Sequence, residues 1–302
     1  MKWIIKNPAP TDWRQDKWGD FHFGRSLTKY LSRMNQKVET DYHGEWDNNK
    51  TADVVLVLRG KHPYTVKKSD FNIMWNISHP ESVTLEEYQS YDIVFVASNS
   101  HAEYLSSKIQ VPVFPLLQCT DTEEFYESSS NYHDRKDIIF VGNTRGVERA
   151  CVIWSSELGL PLKVWGRGWV EMINKKLIVG KYIDNQKLGE LYSNSKIVLN
   201  DHWEDMKQYG FINNRIFDAI ACGLPIISDY HEELYKLFGN KILYYKDKEE
   251  FNLCVEEFFL AYPLLKENVD ELKEEVTSNY SFQNRAQFLV ETVEEHIRKN
   301  KV

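Results

Sequence analysis

Nowhere does the chain string together the roughly 18 apolar residues that a membrane-crossing helix needs, so no transmembrane segment is expected. Cysteine is scarce. Cys119, Cys151, Cys222 and Cys254 lie far apart and form no metal-ligand pair, which argues for a reduced, cytoplasmic compartment. Positive charge is in deficit: Lys+Arg 37 against Asp+Glu 45 leaves a formal net charge of −8. A global basic footprint for gripping nucleic-acid phosphates is therefore absent, and nucleic acid is not an expected partner, although a local basic patch is left open. The opening run Met1-Lys2-Trp3-Ile4-Ile5 ends at once in Lys6, Asn7 and Pro8, too soon for a signal-peptide core. A cytoplasmic protein is expected, with peripheral association at the inner membrane face left open. Internal repeats and low-complexity tracts are also missing.

What is present is an ordinary globular composition, 42% hydrophobic and 27% charged, in 302 residues, enough for two domains. Aromatics make up 14%, including nine Trp, and core packing is the favoured reading over stacking on sugar rings. Short β-branched runs alternate with helical stretches, the rhythm of parallel α/β layers. Strands are predicted at Ile4-Ile5, Asp53–Leu58, Phe71–Trp75, Tyr91–Val96, Ile138–Gly142, Leu162–Trp165, Ile197–Leu199, Pro225–Ser228 and Ile242–Tyr245, with helices over Phe23–Met34 and His101–Lys108. The rhythm breaks over 119–136, where Asp121-Thr122-Glu123-Glu124, Ser128-Ser129-Ser130 and a polar Asn-Tyr-His-Asp-Arg stretch read as a linker. Two Rossmann-like domains follow, 1–118 and 137–280, and an amphipathic final helix occupies 281–302, with Ser281 as its cap. Two such domains are expected to face each other across a cleft, since open α/β sheets bind ligands at the carboxyl ends of their strands.

The strongest local signal is the segment Asn213-Asn214-Arg215-Ile216-Phe217-Asp218-Ala219-Ile220-Ala221-Cys222-Gly223, a helix leading into a buried strand. Asn213 or Asn214 can cap it, and Gly223 can end it in the left-handed conformation. Arg215 falls in the first turn, where a cation opposes the helix dipole, so the residue points to a ligand rather than to helix stability. Asp218, three residues on, can accept two hydroxyl hydrogen bonds from a ribose.

This segment resembles the nucleotide-sugar motif of the group 1 GT-B glycosyltransferases, in the variant of the spore-maturation CgeB-like proteins, Asn-x-Arg-x-Phe-(Glu/Asp)-Ala-x-Ala-Cys-Gly. The likeness runs upstream through Leu199-Asn200-Asp201-His202-Trp203 and, more loosely, over the whole chain. It implies a GT-B fold whose last helix crosses back to the N-terminal domain. It also implies a hexosyltransferase-like enzyme, a nucleoside-diphosphate sugar as donor substrate with no permanently bound cofactor, and Asp218 on the ribose. In one respect the chain departs from the pattern. Many retaining relatives carry a second acid eight residues before the helix acid, and that position here is Gly210, with Glu204 and Asp205 out of register.

Other residues join the candidate donor site. Val141-Gly142-Asn143-Thr144-Arg145-Gly146-Val147-Glu148-Arg149 follows a strand, so the backbone of Gly142 and Asn143 can approach an anion while Arg145 or Arg149 neutralises a diphosphate. Arg167 and Asn214 complete the set, and Trp165 or Trp169 either stacks on the base or packs in the core. In the first domain Asp20 and His22 are candidate bases, with a helix cap and a packed aromatic as their plain readings. His79, held extended before Pro80, and Arg59 are candidates for the sugar or its phosphate; His101 reads as a surface or capping residue. Asp201-His202-Trp203-Glu204-Asp205 lacks a second ligand group at matching spacing, so no metal site is expected. The acceptor is expected to be a hydroxyl on a glycan, a lipid-linked intermediate or a protein. A GT-B-fold epimerase and a non-catalytic module that binds sugar-nucleotide or glycan are the alternatives.

Overall fold

The computed structural model describes residues 1–128 and 132–299; Ser129, Ser130 and Asn131 of the expected linker and residues 300–302 of the expected final helix lie outside the described residues. It divides into two compact units. The first gathers Met1–Cys119, Glu204–Ile212 and the chain from Tyr280 onward, and the second holds Thr120–Trp203 and Asn213–Asn279.

The first unit begins with β1 (Lys2–Pro10), α1 (Gly19–Arg33), β2 (Lys37–His43), β3 (Val54–Arg59), β4 (Asn72–Asn76), α2 (Leu85–Gln89), β5 (Ile93–Val96), α3 (Asn99–Ser106) and β6 (Val113–Pro115). Its six strands are all parallel, in the order β2-β1-β3-β4-β5-β6. The continuous apolar run of β3 is buried at every position, as a central parallel strand covered on both faces must be. The second unit continues with β7 (Ile138–Val141), α4 (Ala150–Glu157), β8 (Leu162–Trp165), β9 (Ile178–Gly180), α5 (Leu188–Asn194) and β10 (Ile197–Asn200). After a short helix α6 (Glu204–Gln208) that belongs to the first unit, it resumes with α7 (Asn214–Ala221), β11 (Ile226–Asp229), α8 (Glu232–Phe238), β12 (Leu243–Tyr245), α9 (Lys248–Leu260) and α10 (Tyr262–Asn279). Its six strands are again parallel, ordered β12-β11-β10-β7-β8-β9.

Each strand order reverses once, between β1 and β3 in the first sheet and between β7 and β10 in the second. At such a reversal the connections diverge to opposite faces and leave a crevice at the carboxyl ends of the two strands. The stretch expected as a linker is structured where it is described. From Thr120 on it lies with the second unit, Phe125 is buried against Tyr192 with ring centroids 6.1 Å apart, and the Ser193 hydroxyl donates to the Tyr126 carbonyl at 2.7 Å. Apolar Phe125 among the polar residues supplies the anchor that average composition conceals. Among the described residues, no helix is long and apolar enough to cross a membrane.

The last helix, α11 (Phe282–Lys299), belongs to the first unit. Phe282, Ala286, Leu289, Val290 and Val293 recur at helical spacing and enter the same core as Phe23, Leu27 and Tyr30 of α1. Ser281 and Asn284 cap it reciprocally: the Asn284 N–H donates to the Ser281 hydroxyl at 3.4 Å and the Ser281 N–H to the Asn284 side chain at 3.1 Å. Arg285, only 8% exposed, donates to the Leu117 carbonyl at 2.8 Å and so ties the helix to the chain after β6. The helix is therefore part of the core. Leu289→Ala should cost about 2–5 kcal/mol of unfolding free energy in urea titration, and exposed Gln287→Ala less than about 0.5 kcal/mol. Equal, small effects of the two substitutions would contradict this packing.

Candidate functional site

The reversal of the second sheet is where the sequence motif lands. Arg215, in the first turn of α7, donates from Nη1 to Asn200 Oδ1 at 2.8 Å and from Nη2 to the Val141 carbonyl at 2.5 Å. One guanidinium thus joins the carboxyl ends of β10 and β7. Its Cζ also stands 5.1 Å from the Phe140 ring centroid. A side chain on Gly142 would begin 3.1 Å from Arg215 Nη2, so the missing Cβ makes room for the guanidinium.

The motif helix is amphipathic, with Ile216, Phe217, Ala219 and Ile220 buried, and Cys222 leads out of it into Gly223 at φ +61°. Asn213 holds the N-cap position, but its side chain makes no capping bond; its Nδ2 donates instead to Asn200 Oδ1 at 3.1 Å. The first turn therefore keeps N–H groups that no side chain caps, an arrangement suited to an anion.

Around this point the structure places the other expected donor residues. Asn143 accepts the Arg167 N–H at 2.8 Å, and the Thr144 N–H donates to the Arg167 carbonyl at 3.0 Å, which ties the loop after β7 to the loop after β8. The side chains of Arg145 and Arg167 are exposed, and Arg145 adopts φ +52° with its Cζ 5.0 Å from the Trp203 ring. Arg149 has a different task from the diphosphate contact expected for it. It is 6% exposed and clasps Asp201 with two hydrogen bonds, Nε to Oδ2 at 2.6 Å and Nη2 to Oδ1. A buried guanidinium needs such a partner, and Asp201, read from sequence within a turn, supplies it. Trp203, whose ring lies within 5.0 Å of Arg145 Cζ and 4.8 Å of Arg149 Cζ, is a site residue that sequence reasoning passed over, since spacing gives no sign of a cation–π contact.

Asn214 Nδ2 donates to Asp218 Oδ2 at 3.0 Å, across one helical turn. Asp218 is only 5% exposed. Burial pushes its carboxyl well above the usual range and the charges of Asp121 and Glu124 add to that, while the Thr120 hydroxyl and Arg215 oppose it. Of the two tryptophans, Trp169 is a core residue. It is 1% exposed, packs edge-on to Phe140 at 5.5 Å, and donates to the Gly142 carbonyl at 2.9 Å. His202 donates from Nδ1 to Asp229 Oδ1 at 2.8 Å, so Asp201 and His202 are taken up by pairing with Arg149 and Asp229. Among the described residues, no group of three or more His, Cys, Asp or Glu side chains is placed to hold a metal ion.

In the first unit the reversal lies between β1 and β3, and Gly60 follows β3 there. The place where a Gly60 side chain would start is 3.7 Å from Asp20 Oδ1 and 3.2 Å from Ser78 Oγ, so Asp20 and the Ser78-His79 turn border one spot. His22 does not share it by position. Two residues of helix turn the side chain through about 200°, and its Nε2 meets the Asp16 carbonyl at 2.6 Å. A carbonyl can only accept, so Nε2 carries the proton and Nδ1 is the basic nitrogen of the neutral ring.

His79 is not extended, as its place before Pro80 predicts; it sits at φ 53°, ψ 48°. The turn that follows explains the departure. The Ser82 N–H at 3.1 Å and the Ser82 hydroxyl at 2.9 Å both donate to the His79 carbonyl, which must point into the turn to receive them. Arg59 is no free cation either: it is 1% exposed, with Nε on Glu87 at 2.5 Å and Nη2 on the Ser82 carbonyl at 3.1 Å. His101 is buried rather than a surface or capping residue; Ser98 caps α3, and burial drops the imidazole pKa to about 4. Gly210 adopts φ +76°, a left-handed conformation that disfavours any side chain at this position.

Glu81, in the turn after His79, was missed altogether. A hydrogen bond shared with the Asp205 carboxyl, with a smaller part from partial desolvation of this exposed residue, raises its pKa from the ordinary 4.5 to about 7. The folded chain then holds a proton that the unfolded chain releases, so this stabilisation is present below about pH 4.5 and is lost as pH climbs through 7. Glu81→Gln cannot ionise. Its melting temperature relative to the native chain should rise steadily between pH 4.5 and 8, and a difference that stays constant over that range would contradict the shared proton.

Against known proteins, residues 148–291 match the model of the family described as glycosyl transferase-like. No curated protein sequence matches the chain. The whole fold superimposes on solved structures at low identity. A sucrose-phosphate synthase from Thermosynechococcus elongatus gives a TM-score of 0.73 at 10% identity, covering 99% of both chains. Anabaena HepE, solved with UDP and glucose, gives 0.64 at 9% identity over 98% of this chain and 100% of that one. An alpha-glucosyltransferase solved with UDP and a 13-mer DNA gives 0.64 at 14% identity over 96% and 99%. The fold along the whole length is thus that of the GT-B glycosyltransferase structures, and residues 148–291 match the glycosyl transferase-like family model.

Proposed function

We propose that the protein is a glycosyltransferase that moves a hexose from a nucleoside-diphosphate sugar to a hydroxyl acceptor without a catalytic metal. The observation that carries this reading is Arg215, a cation placed against the helix dipole at the reversal of the second sheet and anchored to Val141 and Asn200. Arg215 and Arg145, with the loop at Gly142 and Asn143 and the uncapped first turn of α7, hold the diphosphate; Arg167 lies beside them. Arg149 contributes through Asp201 and Trp203. Asp218, with Asn214 on its carboxylate, takes the ribose hydroxyls. As the sugar bond breaks, negative charge grows on the leaving diphosphate, and fixed guanidinium groups and helix N–H groups stabilise it where it forms.

In the first unit, Asp20 or His22 acts as base on the acceptor hydroxyl, and His79 contacts the sugar or its phosphate. The acceptor is a glycan, a lipid-linked intermediate or a protein. The net charge of −8 favours these over a nucleic acid. A cytoplasmic site fits four free, buried cysteines, and the narrower kinship with the CgeB-like variant rests on the motif at 213–223.

A thermal-shift and calorimetric series with nucleoside-diphosphate sugars tests the donor reading. One of them should stabilise the chain, by about 2.7 kcal/mol at 100 times its Kd, and Arg215→Ala should weaken that binding at least about tenfold while the variant stays folded. An unchanged Kd in folded Arg215→Ala would overturn it. Transfer should also persist in excess EDTA; activity lost there and restored by Mn²⁺ or Mg²⁺ would refute metal independence. Release of nucleoside diphosphate only when acceptor is added separates transfer from epimerisation.

A further inference from the structure

Behind Arg215 stands a chain of buried hydrogen bonds. Asn200, the last residue of β10, is fully buried, as is Ser228 on β11. Asn200 Oδ1 receives Arg215 Nη1 at 2.8 Å and Asn213 Nδ2 at 3.1 Å, two groups that can only donate, which fixes which end of the Asn200 amide is oxygen. Its Nδ2 then donates to Ser228 Oγ at 2.9 Å, and the Ser228 hydroxyl donates onward to Asp229 Oδ1 at 3.2 Å. The same carboxylate oxygen receives His202 Nδ1 at 2.8 Å. Finally, the Asn200 backbone carbonyl accepts the Tyr245 hydroxyl at 3.1 Å, which holds the end of β10 against β12.

Every polar atom of the Asn200 side chain is thus assigned, and each link has one sense. Asp229 accepts, so Ser228 must donate to it; Ser228 can then only accept from Asn200, and Asn200 presents its oxygen to Arg215. An asparagine buried at a strand end is expensive unless its bonds are made, and here they converge on one guanidinium.

We propose that Asn200 is a positioning residue for the donor site: held by Ser228 and Asp229, it aims the Arg215 guanidinium at the diphosphate of the bound nucleotide. The inference rests on the reading of Arg215 as a diphosphate ligand and goes beyond it, because it assigns a role to residues that need not touch the nucleotide. A neutral amide suits the task. An aspartate here would bond Arg215 equally well but neutralise the charge meant for the phosphates.

The test is a double-mutant cycle on Kd, measured by calorimetry with UDP, GDP, ADP and dTDP as probes, with the melting temperature recorded for every variant. Asn200→Ala should weaken binding of the preferred diphosphate about tenfold in the native background and less than about twofold once Arg215 is already alanine. Ser228→Ala, which loosens the amide without emptying the strand end, should show the same dependence on Arg215 should Asn200→Ala fail to fold. Ser228→Thr, which keeps the hydroxyl, should restore binding. Asn200→Asp should stay folded and still bind weakly. Equal losses in both backgrounds would overturn the proposal, since a merely structural residue, or one that touches nucleotide itself, acts whether or not Arg215 is present. Unchanged binding in Arg215→Ala alone would instead refute the donor reading, and no binding of any diphosphate would refute both.

Discussion

A parallel sheet that reverses its strand order must leave two carboxyl ends side by side with nothing between them, and in the second unit Arg215 fills that place. Its bonds to the Val141 carbonyl and to Asn200 connect β7 and β10 where their crossovers part. The rest of the site follows from that connection. The loop after β7 needs Gly142 because the guanidinium lies against it, Asn213 gives up capping to bond Asn200, and the first turn of α7 is left with uncapped N–H groups. The missing cap and a cation in the first turn both run against helix stability, and together they leave positive potential at one point.

Holding positive charge there obliges the protein to manage charge elsewhere. Arg149 is buried and stays so because the Asp201 carboxylate takes two of its hydrogen bonds and balances its charge. Asp218 has the opposite problem, since burial and the neighbouring Asp121 and Glu124 disfavour its ionised form. A carboxylate kept where folding disfavours it is the pattern expected of a group that serves a ligand. In the first unit Glu81, two residues from the strained His79, is also disfavoured as an anion, there chiefly through its hydrogen bond with Asp205.

Much of the fold was legible because central parallel strands are long and apolar on both faces. All nine runs read as strands are strands. The three that were missed, β2, β6 and β9, are edge strands. Lys37–His43 has a single fully buried residue and no apolar run, and the other two have three residues each, too few to show a periodicity. The helix at 282–299 was visible through its stripe, because a face buried against one core leaves a 3.6-residue signature. The motif helix could be read for the same reason, and its out-of-place arginine singled out the site. Partnership was not legible. Nothing in the spacing says that Arg149 belongs to Asp201, that Arg59 is taken by Glu87, or that Asn200 lies behind Arg215, since the partners are 52, 28 and 15 residues apart in the chain and only the fold brings them together. Backbone detail was hidden likewise: Pro80 argued for an extended His79, and two hydrogen bonds from Ser82 decided otherwise.

The central claim is that the reversal of the second sheet is a nucleoside-diphosphate site built on Arg215. A crystal structure of the protein with UDP, or with whichever nucleoside diphosphate binds best, tests it most directly. The account predicts diphosphate oxygens within hydrogen-bonding distance of Arg215 and of the Gly142–Arg145 loop, with a ribose hydroxyl on Asp218. A nucleotide bound in that crystal with its phosphates away from Arg215 would contradict it.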